Sequence, residues 1–304
     1  MNFNYAKSMG FAHSAISVVN ALASGKGVTI GIDIPCKVSA EFISQKIGDN
    51  FSKIKIIGIS SDPHELVNRS ASYSLKSVGA KLSHSEGIRL KIDSLVPVAV
   101  GLKSSSAVSA AVVSAVLGLF TKDTETNKIL RISSIASKDS GASLTGAFDD
   151  AGACFLGGMV FADNLKFKLL KHQRVPNDLG EIVKLLIPLR KRKLTSSIDR
   201  SIYVKQKDES MEAFRYALDG VVAQAMLLNS IIQCLVLRYS LRPVVSALHE
   251  GASASGISGK GPAVAALCRS SKIASRVSSR WVEENPNCKV ISSRIVQPTV
   301  VRTD

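Results

Sequence analysis

Apolar residues recur along this chain at two spacings, and each spacing predicts a different element. Val28–Ile34 and Lys37–Ile43 are β-branched and alternating, which predicts two strands that pair with each other. Ile54–Ile59 and Gly87–Leu95 read as further strands. His64–Gly79 carries Leu66, Ala71, Leu75 and Val78 near helical spacing and predicts a helix. The Ala- and Val-rich run to Phe120 and the stretch Glu125–Lys138 predict two more helices. Strands around Gly158–Phe161 and Phe167–Lys171 follow a small-residue loop at Ser140–Gly146 and the acidic pair Asp149-Asp150. The second half offers strand Glu181–Pro188, a helical stretch Met211–Leu237, a helix Pro243–Glu250 and a glycine-rich loop Gly251–Gly261. Strand Ala263–Cys268, helix Ser271–Glu284 and strand Lys289–Val296 close the chain, while the opening Tyr5–Gly25 mixes small and apolar residues. Helices and strands are mixed without strict alternation, which argues for an α+β fold over a doubly wound sheet. A boundary near residues 165–180 divides the chain into expected units 1–170 and 171–304.

Composition adds limits. Aromatics are only 5% of the 304 residues, so the core must be built from Ala, Val, Ile and Leu. Five cysteines (Cys36, Cys154, Cys234, Cys268 and Cys288) are widely spaced without a C-x-x-C pair, which points to reduced thiols in a cytoplasmic protein. Ser17 and Asn20 break the apolar run Ala15–Ala23, so it does not read as a signal peptide. The most apolar stretch, Val221–Leu237, carries Gln224, Asn229 and Gln233 and reads as a buried helix rather than a membrane span. The formal charge of +15 suits an anionic small molecule as well as a nucleic acid. No base-stacking aromatic pattern accompanies the basic run Arg190-Lys191-Arg192-Lys193, so a solvated surface is expected there and no nucleic-acid partner.

The segment Pro97-Val98-Ala99-Val100-Gly101-Leu102-Lys103-Ser104-Ser105-Ser106-Ala107 is the most suggestive chemically. Gly101 permits a sharp turn, and the serines sit where a helix begins, with Ser a preferred N-cap. The unpaired first amides of such a helix favour an anion, and Lys103 adds charge beside them. A capped helix with no ligand accounts for the same residues. A Walker A loop is disfavoured, because neither Gly25-Lys26-Gly27 nor Gly259-Lys260-Gly261 has the earlier glycine or the following Ser or Thr.

This segment is similar to the P-x-x-x-G-L-x-S-S-A motif of the GHMP kinase superfamily. Thr145–Ala151 resembles the family's acidic segment, and Gly251–Pro262 its glycine-rich third motif. The wording from His13-Ser-Ala-Ile-Ser-Val-Val-Asn20 through Ser24-Gly-Lys-Gly27 is closest to archaeal-type shikimate kinases. The resemblance runs from residue 5 to about 268. It implies an α+β fold whose N-terminal half resembles domain 2 of ribosomal protein S5 and whose C-terminal half is ferredoxin-like. It further implies ATP and Mg²⁺ as cofactors, shikimate as acceptor, and a monomer or homodimer. On this reading Pro97–Ala107 cradles ATP, with Gly256, Gly259 and Gly261 allowing a second close approach of backbone. Ser105 and Asp139 are the candidate Mg²⁺ ligands. Asp149 is the candidate base and Asp150 its competitor; in a loop both reach solvent, in a strand they face opposite ways. Lys7, His13 and Asn20 are candidates for the substrate, against surface lysine, structural hydrogen bond and turn cap respectively.

Overall fold

The alternating positions after residue 25 form one long strand, not two. The computed structural model of the chain describes residues 5–44, 53–59, 62, 65–83, 85–189 and 200–298; the basic run Arg190–Lys193 and His64 lie outside these. Strand β1 (Lys7–Val19) lies antiparallel to β2 (Lys26–Ser44). The expected pairing of Val28–Ile34 with Lys37–Ile43 is therefore corrected, since both belong to β2. Pro35 did not end the strand because a bulge absorbs it: His13 pairs with Pro35 but Ser14 pairs with Ile32. The Pro35 carbonyl then accepts from Leu95 N at 3.0 Å.

β3 (Ile54–Ile57), β4 (Glu86–Ser94), β5 (Met159–Asp163) and β6 (Lys168–Gln173) complete a six-stranded sheet of order β3-β4-β2-β5-β6, with β1 on β2. The length of β2 makes this possible, because it pairs with β5 over Lys26–Ile30 and with β4 over Cys36–Ser44. β7 (Ile182–Pro188), β8 (Ala254–Ile257), β9 (Val264–Cys268) and β10 (Cys288–Arg294) form a second, antiparallel sheet of order β10-β7-β9-β8. The chain passes between sheets after Gln173 and before Ile182. One apolar core spans both, joining Val28, Ile30 and Phe161 to Val183, Leu185 and Leu267.

Helices α1 (Leu66–Ser77), α2 (Ser104–Leu117), α3 (Thr126–Asp139) and α4 (Phe148–Leu156) belong to the first half. β1 was not legible as a strand because Gly, Ala and Ser interrupt its apolar positions, and α2 shows why one of them must be small. A Cβ on Gly10 would sit 2.0 Å from the Ala111 carbonyl oxygen, so strand and helix backbones approach directly. Gly10→Val is expected to cost about 3 kcal/mol by overpacking, read as a lower urea midpoint; an unchanged midpoint would remove this explanation.

In the second half come α5 (Arg200–Val204), α6 (Lys207–Leu218), α7 (Val222–Leu237), α8 (Arg242–His249) and α9 (Ser271–Glu284). The single helical stretch expected over Met211–Leu237 is two helices, turned at Gly220 with φ +83°. Gln233 is buried in α7 and accepts from the Tyr203 hydroxyl at 2.7 Å. Among the described residues no helix is long and apolar enough to cross a membrane. The five cysteines are all free.

Candidate active site

The loop after β4 enters α2 through alternating left-handed residues, with φ +64° at Ala99, +92° at Gly101 and +62° at Lys103. Between them Val100 and Leu102 are buried and anchor the loop, while Pro97 is half-buried and Val98 exposed. Lys103 is the N-cap residue of α2, so the serines are not caps as expected; they occupy its first three helical positions. Their amides are the unpaired ones of the helix start, and these together with the helix dipole face an anion favourably. Ala107 N already bonds back to Lys103 O at 2.9 Å.

A second loop is pressed against this one. Ser258 Oγ donates to Gly101 O at 2.7 Å, and Ala263 N donates to Val100 O at 3.0 Å. Gly259 and Gly261 take φ +59° and +64° there. Gly256 is different: it lies within β8, and a Cβ on it would meet the α7 backbone at Met226 O, 3.0 Å away. Its glycine serves strand-to-helix packing, which corrects its assignment to the phosphate cradle.

β1 supplies the hinge between the two loops. Ser17 Oγ accepts from Lys103 Nζ at 2.7 Å and from Gly259 N at 3.1 Å, and Ser14 Oγ donates to Leu102 O at 2.8 Å. The other side of Lys103 Nζ meets Asp150 Oδ1 at 3.0 Å, with the two side chains only 8% and 15% exposed. Lys260, half-buried in the second loop, lies in the same field: burial lowers its pKa, Lys103 adds to the lowering and Asp150 opposes it.

Asp149 and Asp150 stand in the first turn of α4, neither in a loop nor in a strand. Acidic residues suit that position because the helix N-terminus is electropositive. Asp149 points inward and is 3% exposed. Its Oδ1 accepts from Asn164 Nδ2 at 2.7 Å, its amide donates to Asn164 Oδ1 at 2.9 Å, and Oδ2 lies 2.9 Å from Thr29 Oγ1. Burial pushes the Asp149 pKa up to about 6, with the Asp150 charge adding and Lys103, Asn164 and Thr29 opposing. Asp150 keeps its Oδ2 free of protein partners among the described residues. The geometry thus favours Asp150, not Asp149, as the carboxylate a ligand can reach.

Comparison with known proteins follows the same residues. A family model described as GHMP kinases N terminal domain matches residues 65–158, which include the loop, α2 and the Asp pair. Shikimate kinase of Pyrococcus furiosus is 36% identical over 261 residues, covering 86% of this chain and 91% of that protein. The chain belongs to the shikimate kinase family of GHMP kinases. Shikimate kinase of Methanothrix thermoacetophila is also 36% identical, over 84% of this chain and 83% of its own. The fold is shared more widely. Homoserine kinase from Cytophaga hutchinsonii superposes with a TM-score of 0.74 at 16% identity, covering 99% of this chain and 98% of its own. Lactococcus lactis galactokinase gives 0.73 at 13% identity, covering 96% and 94%.

Within this family member the remaining candidates separate. Lys7 pairs with Glu41 at 4.0 Å and is 65% exposed. Ten residues along β1 from Ser17 is about 33 Å, so Lys7 is a surface lysine at the far end of the strand. His13 turns to Asp33, with Nδ1 at 3.6 Å, and burial lowers its pKa against that carboxylate; among the described residues no bond ties it to either loop. Asn20 caps a turn, its Oδ1 accepting from Leu22 N at 2.9 Å, three residues beyond Ser17. Asp139 accepts from the Tyr73 hydroxyl at 2.9 Å. Ser109 contacts Ser133, and Val113 and Leu117 pack on Ile129 and Ile132, so α2 and α3 run antiparallel. Asp139 therefore ends α3 at the end where Ser104, Ser105 and Ser106 begin α2. Ser17, Thr29, Asn164, Ser258 and Lys260 were not singled out by sequence. Ser258 and Lys260 had a signal in their place inside the third motif and Ser17 in its place inside the His13–Asn20 segment, while Thr29 and Asn164 had none.

Proposed function

We propose that this chain is an ATP-dependent shikimate kinase, moving the γ-phosphoryl group of ATP to the 3-hydroxyl of shikimate. The observation that carries the reading is the Lys103–Asp150 pair, 3.0 Å apart at the start of the anion-ready helix α2. Family membership at 36% identity selects the acceptor class. The amides at the α2 start and the hydroxyls of Ser104, Ser105 and Ser106 bind the ATP phosphates, with Lys103 and Lys260 balancing their charge. Among the described residues no cluster of His, Cys, Asp or Glu could hold a metal alone. Ser105 and Asp139 are the residues that would hold Mg²⁺, which would supply charge neutralisation of the phosphates.

Asp150 accepts the proton of the acceptor hydroxyl through Oδ2 while that oxygen forms its bond to the γ-phosphorus. The bond from γ-phosphorus to the bridging oxygen breaks, and ADP departs with its electrons. Lys103 stabilises charge that grows on the phosphoryl group, and Ser17 holds it in line. The two opposed loops keep the phosphates positioned. Asn20, in the turn after β1 three residues beyond Ser17, is the candidate to bond the shikimate ring hydroxyls.

The test is ADP release with Mg-ATP against shikimate, homoserine, mevalonate and pantoate. Release stimulated by shikimate alone is the expected result. Turnover of another acceptor without response to shikimate would overturn the reading.

A further inference from the structure

The Thr29 hydroxyl has one hydrogen and two carboxyl neighbours. Its Oγ1 lies 2.9 Å from Asp149 Oδ2 and 2.9 Å from Asp150 Oδ1. One contact is a hydrogen bond that Thr29 donates. The other is attractive only if the carboxyl brings its own proton, since two oxygens at that distance need a hydrogen between them. Two features say which carboxyl brings it. Asp150 Oδ1 also accepts from the Lys103 ammonium at 3.0 Å, so that oxygen already faces a donor. Asp149 is 3% exposed, and a Cβ on Gly27 would come within 2.1 Å of its Oδ2, so the strand backbone crowds that oxygen. Its Oδ1 is occupied by the Asn164 amide.

We propose that in the resting enzyme at mildly acidic pH Asp149 is held as a neutral carboxylic acid, donating to Thr29, which in turn donates to Asp150. The pair then carries one negative charge opposite Lys103. Asp150 alone is the base, and Asp149 is a positioning residue that fixes the direction of the Thr29 hydrogen. The groups facing Asp149 agree with this assignment. Asp150 on its own helix disfavours a second negative charge, burial does the same, and the Lys103 charge is already claimed by Asp150. Cys154, one turn further along α4, is pushed well up by burial and stays a thiol.

What is said of turnover rests on the kinase reading; the protonation state does not, and the experiment reads them apart. Infrared spectra of the whole chain at pH 6 are expected to show a protonated-carboxyl C=O stretch that is absent from Asp149→Asn and is lost in the wild type by pH 9. Asparagine reproduces the acid's bonds, donating Nδ2 to Thr29 and accepting from Asn164. Asp149→Asn is therefore expected to lower kcat less than tenfold, whereas Thr29→Val lowers it more, by removing the donor to Asp150. Thermal scans add a check of sign. A carboxyl with a raised folded pKa contributes stability at low pH that is lost as pH rises through that value, near 6. The wild type should thus lose melting temperature between pH 4 and 7 relative to Asp149→Asn. No carboxyl band in the wild type at pH 6 would overturn the proposal even if the variant failed to fold. A kcat loss in Asp149→Asn equal to that of Asp150→Asn would overturn it too. If the chain does not phosphorylate shikimate, the infrared result still decides the proton.

Discussion

Asp150→Asn is expected to lower kcat for shikimate phosphorylation about a thousandfold, within the range that general-base catalysis spans. Affinity for ATP should change only a few-fold, because the phosphate cradle is built from the loop after β4 and the start of α2. The amide retains an oxygen that can accept from Lys103 but cannot take the proton of the attacking hydroxyl. A second effect must be separated from the first. Asp150 and Lys103 are 15% and 8% exposed, so losing the negative charge leaves a largely buried ammonium without its counterion. That costs about 3 kcal/mol of stability, and kcat must be taken per folded molecule, with melting curves run beside the kinetics. If folded Asp150→Asn turned over at more than a tenth of the wild-type rate, the base would lie elsewhere. Asp149 is a poor substitute, since both of its oxygens are committed to Asn164 and Thr29.

The choice between the two aspartates shows where sequence reading stopped. The acidic pair was visible as a pair, but its division of labour depends on the helix that starts at Phe148. A loop or a strand was expected there, and either would have pointed the carboxylates differently. One helical turn, with Asn164 arriving from the turn after β5, sends Asp149 inward and leaves Asp150 at Lys103. Neither Thr29 nor Asn164 carries a local pattern, because each matters only through a partner more than ten positions away. Ser17 is similar: it reads as an interruption in an apolar run, yet it joins residues 86 and 242 positions distant. Short, largely buried strands such as β7 and β9 were legible because burial on both faces demands an apolar run. β1 was not, since Gly, Ala and Ser break up its apolar positions, Gly10 because the α2 backbone lies directly against it. The phosphate loop was legible by resemblance, while its capping was not, because a lysine in the left-handed region is not a usual N-cap.

Gly101→Val is expected to destabilise the chain by about 4 kcal/mol and to abolish ATP-dependent turnover in whatever still folds. Two costs combine at this position. The residue has φ +92°, which a β-branched side chain tolerates poorly, and its Cβ would sit 2.1 Å from the Ser258 carbonyl oxygen. The obstacle is backbone, so no side-chain movement relieves it. Relief requires the loop after β4 and the turn after β8 to part, which breaks the bonds from Ser258 Oγ to Gly101 O and from Ala263 N to Val100 O. Lys103 then loses its register with Ser17, and Ser17 its contact with Gly259. Gly220 separates conformational strain from this clash. It has φ +83° but nothing within 4 Å of an added Cβ, so Gly220→Ala should cost only about 1 kcal/mol and leave the KM for ATP unchanged. Urea midpoints and ATP kinetics on the two variants test the difference. Equal stability losses, or a Gly101→Val enzyme with wild-type KM for ATP, would show that the two loops do not have to touch for the phosphates to bind.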